Sequence, residues 1–499
     1  MTDADAQIQP ELDIQVEWRT KSVTLAGVLL AFASVPMALS GTTVAVPAIA
    51  REFDGGGFAL NWVVTGYFIT ASALMLITGT LADIVGRRRV FGIGAAWFGA
   101  GALGSAMAGN IVVLDVFRTV SGVGSACLMA AGGAMLGSVF TGRARTRVFA
   151  AVGTMVGAGL ALGPVLAGLI VGQFGWRALF LFLAAAAGAL LVATAAMPES
   201  RGAQTRIDLP GALGYVAGLV LAMVGVLQAT DHGWTDLRVI APIVVGLALL
   251  TWFVRRQRRV SEPLLDVSLL ADRHIIGWSL AAVTLAVGLI GALTQLPIFL
   301  QATGRFGPEA AGTIMLALTV PVLALPPLAA ALVGKGLSPR TILIAAVVLL
   351  VLGNTLLSRT HPDTTTSLIV ASLLLIGAAN GILTGLVDPQ TLSRVPQHRL
   401  GMASGLLNTL RAAGNTLTLA LFAGLLITQL QSRLGDRALA ARIAAGDLTH
   451  PSQIAPYSES LQTTLFIVAI TCAVLGTTAA LLTRPHHRQP HRDADHVNQ

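Results

Sequence analysis

The chain has 499 residues, of which 54% are hydrophobic and only 11% charged, less than half the charged fraction of an ordinary soluble domain. So few polar groups cannot cover a water-exposed globule, which excludes a soluble fold and points to an integral membrane protein. The formal net charge of +8 lies in short clusters between apolar runs rather than along one helix face, so it is a signal of topology and not of nucleic-acid binding.

The first stretch, Met1 to Thr20, carries Asp3, Asp5, Glu11, Asp13 and Glu17 ahead of any apolar run, unlike a secretory signal peptide, and reads as a cytoplasmic tail over 1–22. A helix needs about 20 apolar residues to cross the hydrocarbon. Runs of that kind predict spans near 23–49, 58–81, 90–109, 111–137, 148–173, 178–198, 210–230, 239–254, 275–301, 310–333, 341–358, 366–387, 402–430 and 461–483, fourteen in all. The expected fold is an all-α membrane protein. An even count puts both termini on one side. With that side inside, cytoplasmic segments hold 22 of the 32 Lys and Arg, outer segments hold 8, and Arg118 and Arg411 lie within spans. That bias fixes the orientation, with both termini cytoplasmic in the inner (plasma) membrane.

Polar connections divide the chain into six spans over 23–198, an inserted helix pair with a basic linker over 199–274, six further spans over 275–483, and a tail over 484–499. A weak internal echo relates the halves: Gly334-Lys335-Gly336 to Arg340 follows span ten as Asp83 to Arg89 follows span two. The longest outer loop, 431–459, is expected to carry a short surface helix over 437–445. The tail histidines His486, His487, His491 and His496 read as a solvated segment rather than a metal site, and Cys127 and Cys472, each in an apolar run, make no disulfide framework. No cofactor or metal is implied.

Charged groups inside spans are costly and are functional candidates by default. At 1.5 Å per residue, Arg118 of span four lies about 12 Å and Asp115 about 7 Å from its outer end. Three residues apart, they share a helix face and can pair. One reading has Arg118 facing a central cavity with Asp115 as protonatable partner; the other is a structural ion pair that lets the span insert. Span five repeats small residues at Gly159, Gly163 and Gly168 beside Pro164, a seam for close helix packing. In span thirteen Asn408, Arg411 and Asn415 form one polar stripe that must face protein or water. Ser40, Thr42, Thr43, Thr65, Tyr67, Gln295 and Asn380 are further candidates for a cavity lining, or for hydrogen bonds between helices.

The turn Gly79-Thr-Leu-Ala-Asp83-Ile-Val-Gly86-Arg87-Arg88-Arg89 resembles the signature loop of the major facilitator superfamily. With Asn61-Trp62-Val-Val-Thr65-Gly-Tyr67, Arg118, Gly163-Pro164 and Gly405-Leu-Leu-Asn408-Thr-Leu-Arg411 in order, the chain is most similar to the fourteen-span drug:proton antiporters. The resemblance implies two six-helix bundles plus two inserted helices, an inner gate lock at Gly79, Asp83, Gly86, Arg87 and Arg88, proton coupling through Arg118, and an antiporter-type glycine motif in span five. One departure matters. Where that group carries an aspartate in span one, this chain has Ala38, and Thr43 stands for its asparagine.

The expectation is a non-enzymatic secondary transporter that exports small hydrophobic molecules in exchange for protons by alternating access, working as a monomer in the lipid bilayer. Ala38 keeps open an uncoupled facilitator or lipid transporter on the same scaffold. A non-transporting membrane sensor is the third reading.

Overall fold

The computed structural model describes residues 3–53, 57–140, 142–202, 207–260, 263–264, 272–392, 400–448 and 450–484. Among them the structure is helical throughout, with no strand. Six helices form a first bundle: α1 (Asp3–Phe53), α2 (Gly57–Val85), α3 (Arg87–Ala106), α4 (Ile111–Val139), α5 (Gly142–Phe174) and α6 (Trp176–Ala195). The inserted pair is α7 (Leu209–His232) and α8 (Leu237–Gln257). The second bundle comprises α9 (Arg273–Ala302), α10 (Pro308–Ala324), α11 (Pro326–Gly334), α12 (Pro339–Leu357), α13 (Thr366–Leu392), α14 (Leu400–Leu434) and α16 (Ile454–Leu482), with the short α15 (Arg437–Ala444) between the last two.

Thirteen helical segments are long and apolar enough to cross a membrane. The fourteenth expected span is α3, whose 20 residues open on Arg87, Arg88 and Arg89, which lower its hydropathy. It packs tightly between α4 and α6. Span ten is divided into α10 and α11 because Pro326 and Pro327 supply no N–H to the helical ladder. The turn residues suit their places: Asn110, Asp208, Asp236, Asp272, Ser338 and Asp436 each accept a hydrogen bond from the first turn of the helix they precede. Gly86 has φ +123°, a conformation that an L side chain resists.

Buried apolar residues among those described form four clusters: one mainly within α1 to α6, two within α9 to α16, and one where the inserted pair meets α2. The inserted pair packs on itself and against α2 and α14. Its outer helix α8 is the least buried of the span segments. The bundles meet through α5 on α10, α2 on α14 and α1 on α9. One face of the molecule carries the α2–α3 turn and is called the basic face; the α14–α16 connection with α15 lies on the opposite face.

The 431–459 loop is shorter than the sequence suggests, because α14 extends to Leu434 and α16 begins at Ile454 after a single 3-10 turn. The expected short helix is present as α15, and Ala440, Ala441, Ile443 and Ala444 of it are buried. The histidines of the tail lie outside the described residues.

Candidate functional site

The α2–α3 turn is a cross-linked knot on the basic face. Asp83 Oδ1 accepts from Arg87 Nε at 3.0 Å and Nη2 at 2.9 Å, and Arg87 Nη1 donates to the Ala134 carbonyl of α4 at 3.1 Å. The chain leaving α6 closes over it. Arg87 N donates to Ser200 O, Gly202 N donates to Asp83 O, both at 2.9 Å, and Glu199 Oε1 accepts from Arg88 N at 3.1 Å. Glu199 also stands 3.7 Å from Arg89 Nε. A Cβ on Gly86 would come within 2.7 Å of that carboxylate. Gly79 carries no such constraint, since the nearest atom to a Cβ there is 3.9 Å away. Sequence reasoning singled out Asp83, Gly86 and the arginines but missed Glu199, which lies 111 residues from Arg88.

Arg118 is buried to 1% exposure inside the first bundle. Its Nε donates to the Val63 carbonyl at 2.8 Å and its Nη2 to the Ala38 carbonyl at 3.5 Å. The guanidinium lies 4.5 Å from the Tyr67 ring centre and 5.5 Å from that of Phe180, a favourable cation–π setting. Tyr67 is itself fixed, donating to Val35 O at 2.9 Å and accepting from Ser125 Oγ at 2.6 Å. Two expectations are corrected here. Arg118 does not line a central cavity in this conformation; α1, α2 and α6 enclose it. Nor does Asp115 pair with it: no ion pair joins the two, and Asp115 Oδ1 is buried without a hydrogen-bond partner. A shared helix face permits a pair, but the carbonyls of α1 and α2 claim the guanidinium instead.

The span-five glycines are a seam, as their spacing suggests. A Cβ on Gly159 would stand 2.1 Å from Ala33 O, and one on Gly163 2.0 Å from Ser40 Oγ. Ser40 Oγ in turn donates to Gly159 O at 3.3 Å. Pro164 and Gly168 are buried, and Pro164 O is 3.4 Å from where a Cβ of Gly312 would sit. Thus α5 is held between α1 on one side and α10 of the other bundle on the other.

Between the bundles, toward the α15 face, lies a narrow cleft of about 50 Å³, room for a few waters and well below the volume of a drug-sized site. Thr43 and Val46 of α1, Asn61 and Thr65 of α2, Thr294 and Gln295 of α9 and Ala420 of α14 line it, and Ala444 and Ala445 at the end of α15 roof it. Of the expected lining residues, Thr43, Thr65 and Gln295 are therefore brought together. The others are not. Ser40 faces α5, Tyr67 serves Arg118, and Asn380 Nδ2 donates to Ile376 O in its own helix at 3.1 Å. The span-thirteen stripe is also displaced: Arg411 contacts Asp388 of α13, Asn415 is half-buried away from the cleft, and the side chain of Asn408 lies outside the described residues. Sequence reasoning missed Asn61 and Thr294 as lining residues. Their signals were local: Thr294 directly precedes Gln295, and Asn61 lies one helical turn before Thr65.

The family model of the Major Facilitator Superfamily matches residues 28–419. The chain belongs to that superfamily. This major facilitator is 31% identical to the puromycin resistance protein pur8 of Streptomyces alboniger, over 79% of this chain and 80% of that one. It is 29% identical to the multidrug resistance protein Stp of Mycobacterium tuberculosis, over 83% and 78% of the two chains. Its fold matches the crystal structure of a bacterial homolog of the human lysosomal transporter Spinster, in an inward-facing and unoccupied conformation, with a TM-score of 0.64 at 14% identity, covering 93% and 97%. It is a multi-pass membrane transporter and not an enzyme.

Proposed function

We propose that this transporter exports hydrophobic small molecules across the plasma membrane in exchange for protons, by alternating access between its two bundles. The observation that carries the reading is Arg118, a buried cation held by backbone carbonyls and an aromatic ring with no carboxylate paired to it. A charge enclosed at that cost is a functional feature in a membrane protein. The names of its relatives, a puromycin resistance protein and a multidrug resistance protein, support export as the direction and drugs or antibiotics as the cargo. A proton moving down 100 mV releases about 2.3 kcal/mol, enough for roughly fifty-fold accumulation of a neutral substrate exchanged one for one.

In this reading the basic face is cytoplasmic, as are both termini, and the protein works as a monomer. The Asp83–Arg87 knot, with Gly79, Gly86 and Arg88, is the cytoplasmic lock. The α5 seam of Gly159, Gly163, Pro164 and Gly168 locks α5 to α1 within the first bundle while the Pro164 side meets α10 of the other, the contact on which the bundles rock, and the inserted pair over 199–274 braces α2 and α14. Arg118 is the group through which the proton linkage runs.

Puromycin uptake into proteoliposomes with an imposed pH gradient tests this. Transport that collapses with the gradient supports exchange. A second reading, an uncoupled facilitator or lipid transporter, is favoured by Ala38, which leaves Arg118 facing a carbonyl where an acid would sit. Puromycin movement independent of the gradient would select it.

A further inference from the structure

We infer that the end of α8 on the basic face binds an anionic phospholipid, with Arg255, Arg258 and Arg259 holding the headgroup and the exposed stripe of α8 carrying the acyl chains.

Four arginines stand there at positions 255, 256, 258 and 259. Arg256 is turned inward. It donates to the carboxyl of Asp208 from Nε at 2.9 Å and from Nη2 at 2.7 Å, which ties the end of α8 to the start of α7. The other three are exposed, and among the described residues none of them joins a carboxylate in an ion pair.

Helical spacing separates the two sides of α8. Val239, Gly246, Phe253 and Gln257 are buried. Val244, Ala248, Trp252, Arg255 and Arg259 follow one another at three- and four-residue steps on another side, and all are exposed. That side faces lipid, since α8 is the least buried of the span segments. The cations therefore continue the lipid-facing stripe instead of standing apart from it. At 1.5 Å per residue the 21 residues of α8 run about 31 Å, one hydrocarbon thickness. Arg255 then lies at the boundary and Arg258 and Arg259 in the headgroup layer. Trp252 marks the same level. Its ring is seated over Gly214 of α7, where a Cβ would stand 2.4 Å from Cζ3, and its centre is 5.6 Å from the Arg256 guanidinium. A tryptophan so fixed lies where acyl chain meets headgroup.

Charge decides which lipid fits. Arg255 is three residues from Arg258 and four from Arg259, spacings at which like charges on a helix repel. A phosphate lying among them removes the repulsion and takes paired hydrogen bonds from the guanidinium forks. A zwitterionic headgroup brings its own cation into the cluster and forfeits much of that gain. A headgroup with net negative charge keeps it, at about a fivefold gain in occupancy for each arginine near the surface.

The test is native mass spectrometry of the full chain, released from detergent after equilibration with equal amounts of phosphatidylglycerol and phosphatidylcholine carrying the same acyl chains. The unsubstituted protein is expected to retain phosphatidylglycerol with about a tenfold preference. Replacing Arg255, Arg258 and Arg259 together by Gln is expected to reduce that preference to about twofold or less. Replacing Arg201, Arg273 and Arg484 together by Gln removes as much charge from exposed positions elsewhere. That second variant is expected to stay within about twofold of the unsubstituted protein. A preference that survives the first triple substitution, or that both lower alike, overturns the site. Excess glycerol 3-phosphate is expected not to displace phosphatidylglycerol, because it makes no contact with the apolar stripe. Displacement would show a site for free phosphate and overturn the lipid assignment.

Discussion

Arg118 Nη2 stands 3.5 Å from the carbonyl of Ala38, the residue that replaces the span-one acid of the fourteen-span drug antiporters. The guanidinium is thus within reach of position 38, but meets backbone there instead of a carboxylate. A cation buried here loses its hydration against only carbonyl and ring contacts, so an apolar side chain of similar length is expected to be tolerated. Arg118→Met is therefore expected to keep or raise the melting temperature while abolishing gradient-driven efflux. A melting temperature that falls sharply would show that the cation is structural.

The same proximity gives a double-substitution test. Ala38→Asp alone is expected to fold, because Arg118 supplies a partner. In the Arg118→Met background the new carboxylate is buried and unpaired, and about 3–5 kcal/mol of stability is expected to be lost. Additive effects of the two changes in thermal melts would place the side chains out of contact.

Asp83 and Glu199 are expected to behave differently although both meet the α2–α3 turn. Asp83→Ala removes two charge-assisted hydrogen bonds to an Arg87 side chain that is 16% exposed, at a cost of about 1–2 kcal/mol. Glu199→Gln keeps an acceptor for Arg88 N and loses only the attraction to Arg89, whose side chain is 63% exposed, so a change below about 0.5 kcal/mol is expected. Denaturation of the two variants side by side checks the order.

Asp208 sets a pH dependence. Hydrogen bonds from the Arg256 guanidinium hold its carboxyl below the usual carboxylate range against the opposing effect of burial, and Gly211 N and Gln257 add to this. A carboxyl whose folded pKa is depressed contributes stability that is full above its unfolded value near 4 and lost as pH falls through the folded one. The melting temperature is expected to drop on acidification below about pH 4. Asp208→Asn is expected to melt lower at pH 7 and to lose part of that acid sensitivity. Parallel pH profiles for the two proteins would remove Asp208 from the account.

On α5, Gly159→Ala and Gly153→Ala are expected to diverge. At Gly159 the added carbon meets the backbone of α1 at 2.1 Å, while at Gly153 nothing lies within 4 Å. Overpacking against backbone costs about 1–3 kcal/mol. At the open site the helix gains about 0.5–1 kcal/mol. Thermal melts of the two single variants decide it.

Membrane insertion and the helix count were legible in the sequence, because each follows from a local rule. A bilayer core demands runs of about 20 apolar residues with every backbone group satisfied inside the helix. The Asp83 turn and the α5 seam were legible too, since Gly86 requires a positive φ and glycines four apart fall on one helix face. Which polar groups meet was not. Arg118 prefers the carbonyls of Ala38 and Val63 to Asp115 three residues away, Arg411 turns to Asp388, and Ala444 comes to lie over a cleft shared with Thr43, some four hundred residues earlier. Helical periodicity states which residues share a face, but the neighbour each face receives depends on how the helices pack, and only the tertiary structure decides that.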